Sequence, residues 1–498
     1  MKYLLNIETV RQADNDAINK FGICGIILME NAARSVAEFI KNKFDDKSKI
    51  KIFCGAGNNG GDGFAIARHL ISDFDVEIFQ IGSVSKMSPE TRANYEITQK
   101  LKISTISIVK KEEIHTFDFN CDIIIDAMIG VGGTENLKGI VCNILDKINN
   151  INAIKIAVDL PTGLNADSGE ISKHCFKADY TITMFAGKIG MYLNDGRNVC
   201  GRIIEADLGA PNSIIKNLSS DYILQNEDIK RLLGKREKNT SKFDYGRVIV
   251  IAGSANFPGA AALSTNATVK AGAGLVELIS PIMHHHLIPE VIFHKAKANN
   301  NGFMTLENID LVTERLDKAT TLIVGPGIGN DKDTLDFIEN VLNNTPPWIK
   351  IIIDADALRV VNKLKYISER TILTPHIIEF SRMFDIPISE VQRKSYYIAK
   401  EKAKELGCVI LLKNVPSIIT DGLETYLNIG GNPGMATGGS GDVLSGIIGA
   451  MSAQGLDALE AAAIGSFLHS KSGDMYAKKY SEQALSAGNL IEFLKYVF

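Results

Sequence analysis

Residues 50–63 read IKIFCGAGNNGGDG, and this segment predicts how the fold begins. A β-prone run over residues 50–54 predicts a strand, five glycines follow, and the pattern of residues 64–70 predicts a helix. This order brings backbone N–H groups and a helix N-terminus together, which is typical of a phosphate or dinucleotide site. A tight connection without a ligand is the alternative, but the two asparagines and the aspartate add donors and acceptors that such a turn does not need.

A second glycine-rich loop, GGSGD, occupies residues 438–442 near the other end of the chain. The apolar side chains at positions 443, 444, 447, 448 and 451 then form one helical stripe, so this loop also opens a helix. Its amides can stabilise a transferring phosphoryl group while Asp442 accepts a proton from a substrate hydroxyl. A structural turn capped by Asp442 is the alternative. Because the residues that flank the two loops differ, the chain predicts two chemistries rather than a duplicated unit.

Composition is that of an ordinary globular protein. The 498 residues exceed what one hydrophobic core usually supports, and 45% of them are hydrophobic, so we expect two domains. A formal net charge of -4 gives no general attraction to nucleic acid or to an anionic membrane, and we expect neither as a partner. Seven scattered cysteines without a C-x-x-C pair predict neither a disulfide framework nor a zinc site. Since no export signal is evident either, we expect a cytoplasmic protein.

Strands and helices alternate through the first part of the chain. The residues from Thr9 to Gln12 predict a capping box that starts a helix, and residues 26–41 predict a second helix. Alternation of strands with helices implies a mainly parallel sheet covered on both faces, which is an α/β fold. The predicted strands cover residues 50–54, 76–81, 121–127, 154–160, 180–184 and 202–206.

A domain boundary is predicted where this alternation stops, between about residues 212 and 225. The charged stretch that continues through Lys242 has no periodicity. We therefore expect domains over residues 1–215 and 222–498. In the second domain, strands are predicted over residues 247–252, 275–280, 321–324, 351–354, 371–373 and 409–412, with a hairpin of residues 417–420 and 425–429 that turns at Asp421-Gly422.

Three aspartates mark one candidate site in the first domain. Asp126 and Asp159 each lie at the end of a predicted strand, and Asp62 lies in the first glycine-rich segment. The carboxyl ends of parallel strands face one crevice, so the three carboxylates can converge there on a cation or take part in proton transfer. Separate roles in capping turns are the alternative.

The first domain resembles a known family. Residues 28–33 (LMENAA), 57–63 (GNNGGDG) and 158–163 (VDLPTG) resemble the epimerase half of the bifunctional NAD(P)H-hydrate repair enzymes. The resemblance implies that Asp159 is catalytic and contacts the nicotinamide hydrate. It also implies a potassium ion held by Asn59, Asp126 and Thr162, and substrate binding by Asn58, Asn59, Gly60, Gly61, Asp62, Gly130, Val131, Gly132, Gly133, Thr134, Glu135 and Asn136. Two departures are Thr162, where the family often has Ser, and residues 129–133 (IGVGG), where Phe-Gly-Thr-Gly is typical.

The second domain resembles the ribokinase-like dehydratase half of the same family. The motifs that carry this resemblance, together with the loop that ends at Asp442, are residues 253–260, 325–329 (GPGIG), 354–356 (DAD), 374–376 (TPH) and 413–417 (KNVPS). It implies that Asp442 is the catalytic base, that Ala260, Gly327, His376 and Asp442 contact the hydrate, and that Lys413, Asn414, Val415, Pro416, Ser417 and Gly441 hold the nucleotide. Asn414 replaces a usual Gly, and Ser417 replaces a usual Thr.

Taken over the whole chain, the resemblance implies a Rossmann-like three-layer domain followed by a ribokinase-like three-layer domain. The implied function is repair of hydrated NADH and NADPH (NADHX and NADPHX), by R-to-S epimerisation and ADP-dependent dehydration. Magnesium would accompany ADP, and we expect a homo-oligomer. A small-molecule kinase for a vitamin alcohol and a nucleotide-sensing module are the alternatives, but neither accounts for the attached Asn-Asn-Gly-Gly-Asp-Gly segment.

Overall fold

The computed structural model describes residues 1–132 and 137–498, which form two compact units. The N-terminal unit is Lys2–Asp221, and the C-terminal unit is Tyr222–Phe498 together with Met1. Within the described residues, no helix combines the length and the apolarity that a bilayer span requires. All seven cysteines are free thiols.

The N-terminal unit alternates strands and helices. Its strands are β1 (Lys2–Leu5), β2 (Lys49–Cys54), β3 (Asp75–Ile81), β4 (Ser104–Ile108), β5 (Ile123–Ala127), β6 (Ile154–Val158), β7 (Tyr180–Thr183), β8 (Gly187–Lys188) and β9 (Arg202–Glu205). Its helices are α1 (Ile7–Asn19), α2 (Gly25–Lys43), α3 (Asn58–Leu70), α4 (Pro89–Lys100), α5 (Ile140–Ile148), α6 (Gly196–Val199) and α7 (Asn212–Leu218).

Seven of these strands form a parallel sheet in the order β4-β3-β2-β5-β6-β7-β9. This is the dinucleotide-binding order, which reverses direction between β2 and β5. Alternate residues of β2 pack on opposite faces: Ile50 and Ile52 belong to the apolar core that includes α2 and α3, whereas Phe53 belongs to the core that includes α5. Two cores on two faces make the unit three-layered.

Two helix starts in this unit differ from the prediction. The N-cap of α1 is Asn6, whose side chain accepts a hydrogen bond from the backbone N–H of Thr9, so the predicted cap at Thr9 was wrong by one turn. Helix α3 begins at Asn58 rather than near residue 64, because its glycines pack closely against neighbouring backbone (Gly60) and side chains (Gly61 and Gly63), which offsets their low helix propensity. The asparagines and Asp62 therefore lie on a helix and not in the loop before it.

The C-terminal unit also alternates strands and helices. Its strands are β10 (Asp221–Ile223, which starts at the last residue of the other unit), β11 (Arg247–Ile251), β12 (Leu275–Ser280), β13 (Ile292–Lys295), β14 (Thr321–Val324), β15 (Lys350–Ile353), β16 (Thr371–Leu373), β17 (Val409–Leu412), β18 (Ser417–Thr420) and β19 (Thr425–Asn428). Its helices are α8 (Asn226–Leu233), α9 (Pro258–Lys270), α10 (Ile309–Leu316), α11 (Lys332–Asn343), α12 (Ile377–Phe384), α13 (Ile388–Arg393), α14 (Ser395–Leu406), α15 (Ser440–Ala453), α16 (Ala458–Lys479) and α17 (Ala487–Phe493).

Strands β13-β12-β11-β14-β15-β16-β17-β18-β19 are hydrogen-bonded neighbours in that order. The pairs from β13 to β17 are parallel, and β17, β18 and β19 pair antiparallel, as the predicted hairpin requires. Helix α15 packs between α9 and α16 on one face, and the apolar stripe predicted from Val443 to Met451 is buried there. The chain is therefore an α/β protein in both units, as predicted.

Strands with long apolar runs match their predicted positions to within two residues. Five shorter strands escaped prediction: β1, β4, β8, β10 and β13. The stretch from residue 212 to Lys242, for which no periodicity was found, contains α7, β10 and α8. Their polar, exposed faces conceal the alternation that a buried element shows.

Candidate active sites

The first glycine-rich segment leads from β2 into α3. A Cβ atom on Gly55 would lie 2.0 Å from the carbonyl oxygen of Met128, and one on Gly60 would lie 1.8 Å from that of Gly55. Only glycine allows this close packing of backbone. It places the N-terminus of α3 at the carboxyl ends of β2 and β5, where the strand order reverses and ligands of such sheets bind.

Two polar side chains of α3 are buried beside this crevice. Both side-chain atoms of Asn59, Oδ1 and Nδ2, are buried without a hydrogen-bond partner. Burial, and then the negative charges of Asp159 and Asp14, raise the pKa of Asp62 well above its usual range. Because an unpaired buried amide costs free energy, Asn59 is suited to a ligand that completes its hydrogen bonds or coordination.

Asp126 ends β5 and is fully buried. Its Oδ1 accepts hydrogen bonds from the backbone N–H of Met128 (3.1 Å) and the hydroxyl of Thr162 (2.7 Å), and its Oδ2 accepts one from the backbone N–H of Thr162 (2.8 Å). Burial raises the pKa of Asp126 to about 6, although these hydrogen bonds lower it. The structure therefore joins Asp126 directly to Thr162, as the resemblance implied for a shared site.

Asp159 follows β6 and has a left-handed backbone, with φ of +65°. Its Oδ1 lies 2.5 Å from Nζ of Lys188, which also donates to the hydroxyl of Thr183 (2.7 Å) and the carbonyl of Met184 (2.9 Å). The Lys188 side chain is entirely buried. Its ammonium thus holds Asp159 in one orientation. Lys188 escaped the sequence analysis, although a lone lysine in the otherwise apolar and small stretch of residues 185–191 was the available signal.

A cavity of about 940 Å³ opens over these groups. Of the residues predicted to bind substrate, Asn58, Asn59, Asp62, Gly130, Val131, Gly132 and Asp159 line it. Gly60 and Gly61 do not line it but serve packing, since a Cβ on Gly61 would meet the side chain of Met29 at 2.7 Å. Gly133, Thr134, Glu135 and Asn136 lie outside the described residues. The cavity is large enough for much of a dinucleotide and has carboxylate, amide and apolar walls.

The second site lies at the N-terminus of α15. Asp442 stands in the first turn of this helix, and Gly439 is the N-cap. Within the described part of the chain, the Asp442 carboxylate has no hydrogen-bond or ion-pair partner. Burial, followed by the negative charge of Asp354, raises the pKa of Asp442 to about 7, while the positive charge of Lys413 opposes this shift. A carboxylate with such a pKa is suited to general base catalysis near neutrality.

Lys413 connects this helix to two strand ends. Its Nζ lies 2.6 Å from Oδ1 of Asp354, which follows β15 and is buried. The same Nζ lies 3.3 Å from the position that a Cβ on Gly441 would take. Asp354, Lys413 and Asp442 therefore form one charged cluster at the carboxyl edge of the sheet. In the sequence, Asp354 was recognised as the end of a strand and as part of a motif that carries the resemblance, but it was given no role in the site.

The loops after β11 and β14 bring the predicted pair Ala260 and Gly327 together. A Cβ on Gly327 would lie 2.7 Å from the Cβ of Ala260. The hydroxyl of Ser254 donates to the carbonyl of Gly327 at 2.9 Å, and the backbone N–H of Gly253 donates to the carbonyl of Pro326 at 2.8 Å. These bonds hold the two loops side by side.

His376 and residues 413–417 form the neighbouring edge. The exposed His376 caps α12, since its Nδ1 accepts hydrogen bonds from the backbone N–H groups of Ile378 and Glu379. Its backbone forms a parallel bridge with Lys413. The segment Lys413–Ser417 contains a cis peptide bond before Pro416, exposes the side chain of Val415, and is closed by a hydrogen bond from the Ser417 hydroxyl to the Asn414 carbonyl.

His469 is a further buried group that the sequence analysis missed. Its Nε2 lies 3.0 Å from the carbonyl oxygen and 3.2 Å from the hydroxyl of Ser440, below the start of α15. Burial lowers the pKa of His469 to about 4, so the ring is neutral at physiological pH. It supports the first turn of the helix that carries Asp442.

Comparisons with known proteins match the two parts of the chain separately. Residues 25–190 match the sequence profile described as "YjeF-related protein N-terminus", and residues 248–495 match that described as "NAD(P)H-hydrate dehydratase". A protein of Moorella thermoacetica named "Bifunctional NAD(P)H-hydrate repair enzyme Nnr" is 33% identical over 99% of this chain and 96% of its own length. The chain belongs to the family of bifunctional NAD(P)H-hydrate repair enzymes.

Other members of this repair-enzyme family match equally broadly. The protein of the same name from Archaeoglobus fulgidus is 35% identical and covers 92% of this chain and 91% of its own length. Among solved structures, a ribokinase-like superfamily protein from Enterococcus faecalis V583 has a TM-score of 0.50 and 29% identity, covering 56% of this chain and 95% of its own. The predicted family and the predicted ribokinase-like fold are confirmed.

Proposed function

We propose that the chain repairs hydrated nicotinamide cofactors in two steps. Residues 1–215 interconvert the R and S forms of NADHX and NADPHX, and residues 222–498 dehydrate the S form to NADH or NADPH with conversion of ADP to AMP and phosphate. The family membership over nearly the whole chain supports both activities. The observation that carries the mechanism is the unpaired Asp442 carboxylate at the N-terminus of α15.

Dehydration begins, in this proposal, with Asp442. The carboxylate takes the proton of the C6 hydroxyl, and this oxygen attacks the terminal phosphorus of ADP, which releases AMP. The amides at the start of α15 and the Lys413 ammonium stabilise the negative charge that shifts between the oxygens. The lone pair of the ring nitrogen then expels phosphate from C6, and loss of a proton from C5 restores the dihydropyridine. Hydroxide, a poor leaving group, is thereby replaced by phosphate.

Epimerisation uses Asp159 and the Lys188 ammonium that positions it. Asp159, in its protonated form, gives its proton to the C6 hydroxyl as the C6–O bond breaks, and the ring nitrogen stabilises the planar cation that remains. Water adds to either face of C6 and returns a proton to the Asp159 carboxylate. The cavity over Asp159 gives a hydrate access to this carboxylate. Lys188 acts through Asp159 as a positioning residue.

A potassium ion fits the residues of the first site. Asn59 has a buried amide oxygen without a partner, and the buried Asp126 carboxylate has no cationic partner in the described part of the chain. Together with the Thr162 hydroxyl these are the oxygen ligands that a hard cation prefers. A potassium ion there would supply positive charge opposite the buried carboxylate. Magnesium would enter the second site with ADP, as the counterion of its phosphates.

One reaction tests the proposed function as a whole. The full chain is incubated with a mixture of R-NADHX and S-NADHX, ADP and magnesium, while the absorbance of the dihydropyridine is followed. We expect both epimers to be converted completely, with one AMP and one phosphate formed per NADH. A stable phosphorylated hydrate would instead indicate a kinase, and ADP binding without any product would indicate a nucleotide sensor.

The dehydratase should depend on pH through Asp442. Because the group must be ionised to accept a proton, and its pKa is about 7 in the free protein, kcat/KM should fall about tenfold per pH unit below that value and level off above it. The pH profile of kcat/KM for S-NADHX measures this at saturating ADP.

Asp354→Asn supplies the control for this profile. Loss of the negative charge of Asp354 lowers the pKa of Asp442 and leaves Lys413 unpaired, so the inflection should move to lower pH. A profile without an inflection near neutrality, or one that Asp354→Asn leaves in place, contradicts the assignment of Asp442 as the base.

If potassium binds at the first site, the melting temperature of the protein should depend on which cation is present. Potassium chloride should raise the melting temperature of the unit that holds the site by roughly 3 °C or more over choline chloride at equal ionic strength, because a cation that binds only the folded state stabilises it. Calorimetry of the full chain measures this difference. Asn59→Ala should abolish it, whereas Asn58→Ala, whose amide oxygen is already bonded to Ser88, should retain it. Equal melting temperatures in the two salts would rule out the site.

A cytoplasmic location and a homo-oligomeric state stay predictions. The seven free thiols are compatible with a reducing compartment.

A further inference from the structure

The strand order of the N-terminal unit indicates how a dinucleotide would lie in the cavity. In sheets of this order the pyrophosphate rests on the glycine-rich loop at the reversal point, and one nucleoside lies over each half of the sheet. Here that loop follows β2. The nicotinamide hydrate is assigned to the half that contains β5 and β6, because Asp126 and Asp159 end those strands. The adenosine must therefore extend towards the carboxyl end of β3.

The segment after β3 differs from that of a typical NAD site. A carboxylate near the end of this strand usually accepts hydrogen bonds from the 2′-hydroxyl of the adenosine ribose, and it repels a 2′-phosphate. Residues 82–88 read GSVSKMS and contain no acidic side chain. Instead the segment contains one cation, Lys86, and three serines, of which Ser88 donates its hydroxyl to Asn58.

Lys86 is held at the cavity without a protein partner. It lines the cavity together with Gly82. The segment is fixed beside the glycine-rich loop, since the hydroxyl of Ser88 donates to Oδ1 of Asn58 at 2.7 Å and that of Thr91 donates to the carbonyl of Gly57 at 3.1 Å. Within the described ranges, the Lys86 ammonium has neither a hydrogen bond nor an ion pair.

The described cavity wall carries three carboxylates and two cations. Its carboxylates are Asp14, Asp62 and Asp159, of which Asp159 faces Lys188 on the nicotinamide side. Its cations are Arg11, which lies on α1, and Lys86, which lies in the segment after β3. Lys86 is thus the cation of the described cavity wall that stands where the adenosine ribose is expected.

We infer that Lys86 binds the 2′-phosphate of the adenosine ribose and makes the epimerase site prefer NADPHX over NADHX. This inference rests on the proposed function of the N-terminal unit. A lysine at an exposed position recognises a phosphate as a point charge, so the preference is about tenfold and depends on salt. Ser83 and Ser85, whose hydroxyls lie 2.7 Å apart, are available to bond the same phosphate.

The test compares the two hydrates as substrates of the full-length protein. Initial rates of R-to-S epimerisation give kcat/KM for NADPHX and NADHX in the wild type, Lys86→Met and Lys86→Glu. We expect the ratio of NADPHX to NADHX to fall about tenfold in Lys86→Met, through KM for NADPHX, and further in Lys86→Glu. Lys100→Met, which removes an exposed lysine of α4 outside the cavity, should leave the ratio unchanged.

A second measurement separates this inference from the function on which it rests. With saturating ADP present to fill the nucleotide site of the C-terminal unit, calorimetric binding of adenosine 2′-phosphate should be tighter than that of adenosine 5′-phosphate in the wild type and not in Lys86→Met. A ratio and a binding difference that both survive Lys86→Met overturn the inference, as does an equal loss for the two hydrates. Failure of the wild type to epimerise either hydrate contradicts the proposed function instead, and the binding comparison then still decides the role of Lys86.

Discussion

Asp442→Asn should lower kcat for ADP-dependent dehydration of S-NADHX by about 10³-fold, within the range attributed to a general base. Asparagine keeps the shape of the side chain but cannot accept the C6 hydroxyl proton, so the oxygen that attacks ADP stays protonated. The amides at the start of α15 and Lys413 are unchanged, and ADP should bind with nearly unaltered affinity. Stopped-time measurement of NADH and AMP gives kcat, and calorimetry gives the ADP affinity.

Asp442→Asn also removes a buried ionisable group, so its effect on stability can be measured beside its effect on activity. Because burial and Asp354 raise the pKa of Asp442, its ionised form is unfavourable in the folded state, and Asp442→Asn should not destabilise the protein at neutral pH. Loss of activity with an equal or higher melting temperature therefore separates catalysis from folding. Epimerisation should proceed at the wild-type rate, since that step is assigned to the other unit.

Asp333→Asn is a matched control for this variant. Asp333 also stands in the first turn of a helix, α11, but it is exposed and outside the charged cluster. It should dehydrate S-NADHX at the wild-type rate. NADH formation by folded Asp442→Asn at more than a tenth of the wild-type rate would remove Asp442 from the role of base, because loss of a general base costs about a hundredfold or more.

Buried strands could be predicted from the sequence because both of their faces are apolar. Residues such as Ile50, Ile52 and Phe53 each pack in an apolar core, so the run of apolar residues indicates the strand. Edge strand β4 reads STISI with exposed positions, and β13 includes His294 and Lys295, so neither run stands out from a loop. Solvent on one face removes the signal that burial creates.

The start of α3 could not be predicted, for a different reason. Five glycines disfavour a helix by local propensity, and the prediction placed the helix after them. In the folded chain Gly60 lies against the backbone of Gly55, so tertiary packing overrides propensity. Because the helix begins earlier than predicted, Asn59 and Asp62 lie on a helix beside the crevice and not in a loop.

Site residues at strand ends could be proposed from sequence, but their partners could not. Asp159 and Lys188 are 29 residues apart, and Asp354 and Lys413 are 59 apart. No local pattern relates residues at such separations, because only the sheet order brings their strands together. The residue types were evident in the sequence, whereas the fold determines which charged side chains lie next to each other.

Asp159→Asn should reduce R-to-S epimerisation to nearly the uncatalysed rate, a loss of about 10²-fold to 10⁴-fold. The amide cannot carry the proton that moves to and from the C6 oxygen, although it retains the shape of the carboxylate. Dehydration of pure S-NADHX should stay at the wild-type rate. In an epimer mixture, the variant should therefore dehydrate the S fraction quickly and the R fraction slowly. The two phases of NADH formation give both rates in one experiment.

Variants of Lys188 test whether its ion pair with Asp159 serves the reaction or only the structure. Lys188→Met leaves the Asp159 carboxylate without its buried counterion, which costs about 3–5 kcal/mol for pairs of this kind. In the double variant Asp159→Asn/Lys188→Met neither charge remains, so its stability should recover towards that of the wild type while epimerisation stays absent. Recovery of stability without activity assigns the pair to the reaction. Wild-type epimerisation by folded Asp159→Asn would instead make the Asp159–Lys188 bond a structural contact and move the search for the proton carrier to Asp62 or Asp14, which line the same cavity.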